Sequence, residues 1–172
     1  MKIKGIMDEC FSDYKKAAMY IAFPNCSFKC DQLNRCSVCQ NSKLAHEPDM
    51  DITKEEIIAR YLKNPITKAV ILSGLEPFDS ILDLIAFVDA FRKESDDDIV
   101  IYTGYTEEEL KNGHYGNEDV APATMVGYYN FICGFKSIII KYGRYVMDDE
   151  SHYDEVLGVN LASHNQYAKG YN

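Results

Sequence analysis

Cys26-Ser-Phe-Lys-Cys30-Asp-Gln-Leu-Asn-Arg-Cys36-Ser-Val-Cys39-Gln-Asn41 carries four of the chain's six cysteines, and its place in the chain decides how the rest is read. The apolar run Ala17 to Phe23, closed by Pro24, reads as a buried strand. The cysteines therefore follow a strand's carboxyl end, where open α/β sheets place ligands. Their clustering predicts metal or redox chemistry rather than structural disulfides. An iron–sulfur cluster fits the spacing better than a zinc knuckle built from all four cysteines. Zinc sites space their ligand pairs further apart, and no His or Cys pair follows downstream. Four unligated thiols are a third reading.

Outward from the loop, Gln40 to Asp51 is polar and irregular, and His46 within it has no partner at metal spacing. Thr53-Lys54-Glu55-Glu56 is a capping box that predicts a helix, with Ile57, Ile58, Tyr61 and Leu62 as its buried stripe and Asn64-Pro65 as its stop. Lys68 to Ser73 reads as a short strand followed at once by Gly74-Leu75-Glu76-Pro77-Phe78. Asp79 or Ser80 is expected to cap the next helix, in which Ile81, Leu84, Ile85, Val88 and Phe91 recur at helical spacing. Ile99 to Thr103 reads as the third strand, and Thr106-Glu107-Glu108-Glu109 as a second capping box. Strands alternating with helices predict a parallel sheet. Residues 112–134 read as an inserted surface loop with a short helix or turn, His114 and Tyr115 at its solvated tip and Cys133 packed. Ser137 to Lys141 is a fourth strand, continued or turned back by Tyr142 to Val146 with Arg144 meeting an anionic ligand or a partner carboxylate or simply exposed, and Leu157 to Leu161 is a last short strand. Met1 to Tyr14 is only weakly strand-like, with Cys10 as a small buried side chain.

The halves Cys26-x3-Cys30 and Cys36-x2-Cys39 resemble the three-cysteine motif of the radical S-adenosylmethionine (SAM) enzymes, pulled apart by Asp31 to Arg35. In that superfamily three thiolates hold three irons of a 4Fe–4S cluster, and the open fourth iron takes the amino and carboxylate groups of SAM. Ser73-Gly74-Leu75-Glu76-Pro77 resembles its Gly-Gly-Glu-Pro loop, with Leu75 in place of the second glycine. Glycine there lets the backbone approach the ligand, and Glu76 would receive the SAM ammonium. Ile101-Tyr-Thr-Gly-Tyr-Thr-Glu-Glu-Glu-Leu110 and Gly158-Val-Asn-Leu-Ala-Ser-His-Asn-Gln166 are similar to segments of one family, the activating proteins of anaerobic (class III) ribonucleotide reductase. The likeness runs from Met19 to Gln166 and is loosest between Lys111 and Phe135.

This resemblance implies a single α/β domain over residues 1–172, an incomplete parallel (β/α) barrel whose open rim carries the cluster loop 26–39. Cys26, Cys30 and Cys39 would hold the cluster and, through it, form the catalytic centre. Cys36 would be spare or would replace Cys30 as the second ligand. Ser73, Gly74, Glu76, Pro77, Val38, Asn41 and Tyr102 would bind the cofactor. The implied reaction begins when a donor such as flavodoxin or ferredoxin reduces the cluster. SAM is then cleaved to methionine and a 5′-deoxyadenosyl radical, which takes a hydrogen atom from a glycine Cα of the reductase large subunit. Two alternatives stay open. One is another small radical SAM enzyme, acting on a different glycyl-radical enzyme or on a small molecule. The other is a metal-stabilised interaction module without catalysis.

A formal net charge of −9 argues against nucleic acid as a partner, since phosphate binding needs a basic face. No signal-peptide pattern and no apolar run near the ~20 residues of a spanning helix is read, so the expected place is the cytoplasm, away from membranes.

Overall fold

Four apolar runs form the centre of one sheet. The computed structural model describes residues 1–116 and 120–171. In chain order the elements begin with β1 (Lys2–Ile3), β2 (Gly5–Cys10), β3 (Ala18–Phe23), α1 (Lys29–Asn34), a 3-10 turn (Ser42–His46), β4 (Met50–Asp51) and α2 (Lys54–Lys63). Next come β5 (Ala69–Gly74), a second 3-10 turn (Pro77–Ser80), α3 (Ile81–Glu94), β6 (Asp98–Tyr102), α4 (Glu107–Lys111) and α5 (Pro122–Cys133). The chain ends with β7 (Ile138–Tyr142), β8 (His152–Asp154), β9 (Val159–Leu161) and β10 (Tyr167–Tyr171).

The main sheet has the order β10-β7-β6-β5-β3-β2. Its four central strands, β3, β5, β6 and β7, run parallel. Both edges are antiparallel, β2 against β3 and β10 against β7, so the sheet is mixed where an all-parallel one was expected. The Met1 to Tyr14 segment supplies a full edge strand because a short loop returns it into β3, which only antiparallel pairing permits. The tail after Gln166 supplies the other edge. The expected strand over Leu157 to Leu161 is narrower, Val159–Leu161, and belongs to a separate hairpin with β8. Leu157 itself is in the hairpin's turn, its N–H held by Asp154 Oδ1 at 2.9 Å.

Strand alternation divides the core. Val70, Leu72, Ile99, Ile101, Ile138, Ile140 and Tyr142 face the helices, where Ile57, Ile58 and Tyr61 of α2, Leu84, Phe87 and Phe91 of α3, and Met125, Tyr129 and Ile132 of α5 cover them. The opposite face is lighter: Ala69, Ile71, Val100 and Ile139 pack with Cys10, Tyr14, Ala18, Leu157 and Leu161, and the partly buried Tyr20 and Tyr102 lie against them. Both capping boxes form as expected, Thr53 with Glu56 and Thr106 with Glu109. Leu62, expected in the buried stripe of α2, is 51% exposed. At 3.6 residues per turn it lies about 90° from the centre of the Ile57, Ile58, Tyr61 stripe.

The segment 112–134 is less of a surface loop than its composition suggests. Its second half is the 12-residue helix α5, with Pro122 in the first turn. Tyr115 is buried rather than solvated: its hydroxyl donates to the Met125 carbonyl, and its ring meets Phe78 edge-on at a centroid distance of 5.4 Å. His114 is exposed as expected, while residues 117–119 of this segment lie outside the described ones. Among the described residues no helix is long and apolar enough to cross a membrane.

Candidate metal centre

The carboxyl ends of the parallel strands build the floor of the site. Tyr102 pairs with Lys141, and Leu72 with Ile101, which sets Ser73, Tyr102 and Lys141 in one row across β5, β6 and β7. Their side chains point to the lighter face. They line a cavity of about 280 Å³, close to the ~300 Å³ at which small-ligand sites begin. Cys26, Cys30 and Cys39 stand on its wall with Asn41, Gly74 and Glu76.

Two left-handed residues shape the cysteine loop. Phe28 at φ 52° and Arg35 at φ 55° flank α1, so the chain enters and leaves this short helix by sharp reversals. The Phe28 N–H, turned back by its own conformation, donates to Cys26 Sγ at 3.2 Å. Asn34 at the end of α1 donates to the Cys30 carbonyl at 2.8 Å and to the Tyr145 carbonyl at 3.0 Å, tying the helix to the loop after β7. All six cysteines are unbridged thiols. Cys36 is exposed, donates to the Asn34 carbonyl at 3.3 Å and is not on the cavity wall, unlike Cys26, Cys30 and Cys39. Among the described residues no three His, Cys, Asp or Glu side chains close on a single metal ion. A cubane asks for a different arrangement, because each of its thiolates binds a separate iron. Three thiols opening on one cavity fit such a group by donor chemistry.

The glycine loop meets the cysteine loop directly. Asn41 Nδ2 donates to the Gly74 carbonyl at 2.6 Å, and the Glu76 N–H donates to the Asn25 carbonyl at 2.7 Å. Gly74 sits at φ +85°, and a Cβ there would lie 2.6 Å from Ala22 Cα, so no other residue fits between the strand ends. Leu75 has no positive φ and is buried, which is why a side chain is tolerated in the second glycine's place.

Glu76 is the knot of the site. Its Oε1 accepts from the Phe78 N–H at 3.1 Å and the Thr103 hydroxyl at 2.8 Å, and its Oε2 from the Gly104 N–H at 2.8 Å. It thereby caps the turn Pro77–Ser80 and fastens the end of β6 to the end of β5. Ser80 takes the N-cap position of α3 as expected, but its side chain makes no capping hydrogen bond. Asp79 instead accepts from the Ser27 N–H at 2.6 Å and the Tyr105 hydroxyl at 2.6 Å, a further link to the cysteine loop.

Burial sets the electrostatics. It pushes the Glu76 carboxyl up to about 7, aided by Asp79 and opposed by the three donors. It lowers Lys141 to about 8 against the pull of Cys30 and Glu76, and Lys141 Nζ donates to the Gly143 carbonyl at 2.8 Å. It raises the Cys26 thiol to about 12, although the Phe28 N–H opposes the shift. Loading a metal here must therefore expel protons.

The sequence-based candidates divide. Cys26, Cys30, Cys39, Asn41, Ser73, Gly74, Glu76 and Tyr102 share one cavity, while Val38, Pro77 and Cys36 are off its wall. Pro77 is buried in the turn below, and Val38 turns its N–H to Asp31. Arg144, expected to meet an anion or to stay exposed, is half-buried and paired with Glu109 at 2.6 Å. Sequence reading missed Lys141 and Thr103. The signal was present for Lys141: in Ile138-Ile-Ile-Lys141 the lysine falls on the face opposite Ile138 and Ile140, at the strand end where ligands bind. The tail has a supporting part. Ser163 accepts from the Val146 N–H at 2.8 Å, Asn165 donates to the Arg144 carbonyl at 3.0 Å, and Gln166 donates to the Gly143 carbonyl at 3.2 Å, clasping the rim loop after β7.

No curated protein and no solved structure matches the chain significantly. The 4Fe–4S single cluster domain family matches residues 16–131, a span that takes in the cysteine loop, the glycine loop and the end of β6. With three thiols on one cavity inside that span, the chain belongs to the 4Fe–4S single cluster domain family.

Proposed function

We propose that the chain is a radical SAM enzyme and, within that superfamily, the activase that places a glycyl radical on anaerobic ribonucleotide reductase. The observation that carries this reading is the Asn41 to Gly74 hydrogen bond, which joins the cysteine loop to the glycine loop at one cavity. In this reading the parallel centre β3-β5-β6-β7 is the incomplete barrel of the superfamily. Cys26, Cys30 and Cys39 are the cluster ligands. When bound, the reduced cluster supplies the electron that cleaves SAM to methionine and the 5′-deoxyadenosyl radical.

The chain's own residues bind and orient. Glu76 Oε2 keeps a lone pair beyond the one taken by Gly104, which suits the SAM ammonium. Lys141 Nζ, with one N–H spent on the Gly143 carbonyl, offers the other two to the SAM carboxylate. Ser73 and Tyr102 line the floor between them. Tyr102 is held by its hydroxyl's bond to the Asp13 carbonyl at 2.5 Å. The partner chains of this reading are the reductase large subunit and a one-electron donor such as flavodoxin or ferredoxin, in the cytoplasm.

The test is anaerobic reconstitution with iron and sulfide, reduction, and addition of SAM with the reductase. The expected products are 5′-deoxyadenosine and an organic radical signal that disappears when the target glycine is changed to alanine. Absence of 5′-deoxyadenosine overturns the superfamily reading. Cleavage without the radical overturns the choice of partner alone.

A further inference from the structure

Five residues, Asp31 to Arg35, separate the Cys26/Cys30 half of the cysteine loop from the Cys36/Cys39 half. They do not hang free. Asp31 sits in the first turn of α1, next to Cys30, and Arg35 reverses the chain at its end. The reversal brings the next segment back onto Asp31, whose Oδ1 accepts from the Val38 N–H at 2.8 Å and the Cys39 N–H at 2.9 Å. One carboxylate oxygen thus grips two consecutive amides, the second belonging to Cys39 itself. Such charge-assisted bonds are about twice as strong as neutral ones.

We infer that Asp31 is a positioning residue for the iron–sulfur cluster: it makes Cys30 and Cys39 one rigid unit and holds the cluster's reduction potential low. The mechanical part follows from connectivity, since α1 carries Cys30 and Asp31 fastens Cys39 to α1. The electrical part follows from where the N–H groups point. Hydrogen bonds to sulfur and positive charge raise an iron–sulfur potential, while negative charge lowers it. Asp31 turns the Val38 and Cys39 amides away from sulfur and adds a fixed negative charge beside the third thiolate. The inference rests on the family's 4Fe–4S cluster and is independent of SAM and of any partner.

Redox titration of the reconstituted protein, followed by electron paramagnetic resonance, tests it together with iron release to a chelator. Asp31→Asn keeps an oxygen acceptor for both amides but loses the charge. It should retain iron and titrate at a more positive potential than the native protein. Asp31→Ala loses both bonds and should also release iron faster, by about tenfold or more, as the loss of a supporting contact outside the ligand set typically does. Because α1 has no buried residues, neither change should disturb the fold. Asp89→Asn, on α3 and paired with Lys93, is the charge control and should leave the potential unchanged. An unchanged potential in Asp31→Asn, or the same shift in Asp89→Asn, overturns the electrical role. Iron release from Asp31→Ala at the native rate overturns the positioning role.

Discussion

Replacing Glu76 by glutamine in the metal-free protein separates the cost of burying its charge from the hydrogen bonds it accepts. Burial, with Asp79 nearby, raises its carboxyl from 4.5 to about 7. A carboxyl that holds its proton more tightly in the fold than in the unfolded chain adds stability that is complete below 4.5. That stability falls as the unfolded carboxyl ionises and is gone above about 7. At 1.36 kcal/mol per unit the native protein loses about 3 kcal/mol over this interval. Glutamine does not titrate and has no such slope. It also replaces the carboxylate imperfectly. With its oxygen kept toward the Phe78 N–H and the Thr103 hydroxyl, its NH2 faces the Gly104 N–H donor to donor, a loss of about 1–3 kcal/mol. Glu76→Gln should therefore be clearly less stable than native at pH 5. By pH 8 it should have gained about 2 kcal/mol or more relative to native, drawing level or ahead. Urea unfolding of the reduced, metal-free proteins at both pH values measures this. A stability difference that does not change with pH refutes the burial argument for Glu76.

Two further outcomes follow from the same geometry. Lys111, Lys169 and the Tyr167 hydroxyl overcome partial burial to hold the Glu107 carboxyl at about 2, so its contribution is present above 4.5 and lost as pH falls toward 2. Glu107→Gln should cost about 0.5–1 kcal/mol at pH 7, where its lysine partners are solvated, and clearly less at pH 2, where the carboxyl is partly protonated; an equal cost at both, read from urea midpoints, refutes the assignment. Cys36→Ser should keep the iron of the reconstituted protein while Cys30→Ser loses it, because only Cys30 is on the cavity wall; iron analysis showing the reverse makes Cys36 the second ligand.

The sequence was most legible where local chemistry and burial agree. The capping boxes at Thr53 and Thr106 are satisfied by residues three apart, so they form from local chemistry. The central strands are apolar on both faces, and they are buried on both. Legibility failed where a strand's own pattern is mixed and its pairing edge alone decides it. Gly5–Cys10 and Tyr167–Tyr171 carry mixed, polar patterns and become strands because β3 and β7 offer them open edges. In α5, Met125, Tyr129 and Ile132 keep the helical period. Gly127 and Asn130 between them lie on exposed positions, where poor helix formers are tolerated.

In the site, the residues named from motifs were those whose function needs a rare type: cysteine for metal, glycine for a positive φ, a glutamate beside proline. Lys141 and Thr103 escaped because neither type is rare, and their meaning lies in position. Their placement bears on what the cavity can hold. Glu76 and Lys141 are both nearly dry, and each is shifted toward its neutral form by burial. The attraction of Glu76 for Lys141 opposes the second shift but does not cancel it. A ligand with one charge relieves one of these groups and leaves the other as it was. A zwitterion offers an ammonium to Glu76 and a carboxylate to Lys141 together, turning two burial costs into two charge-assisted contacts. Under the proposed SAM reading the pair would suit the amino-acid end of the cofactor, and an uncharged or singly charged analogue of the same size should bind more weakly than the loss of one contact alone requires.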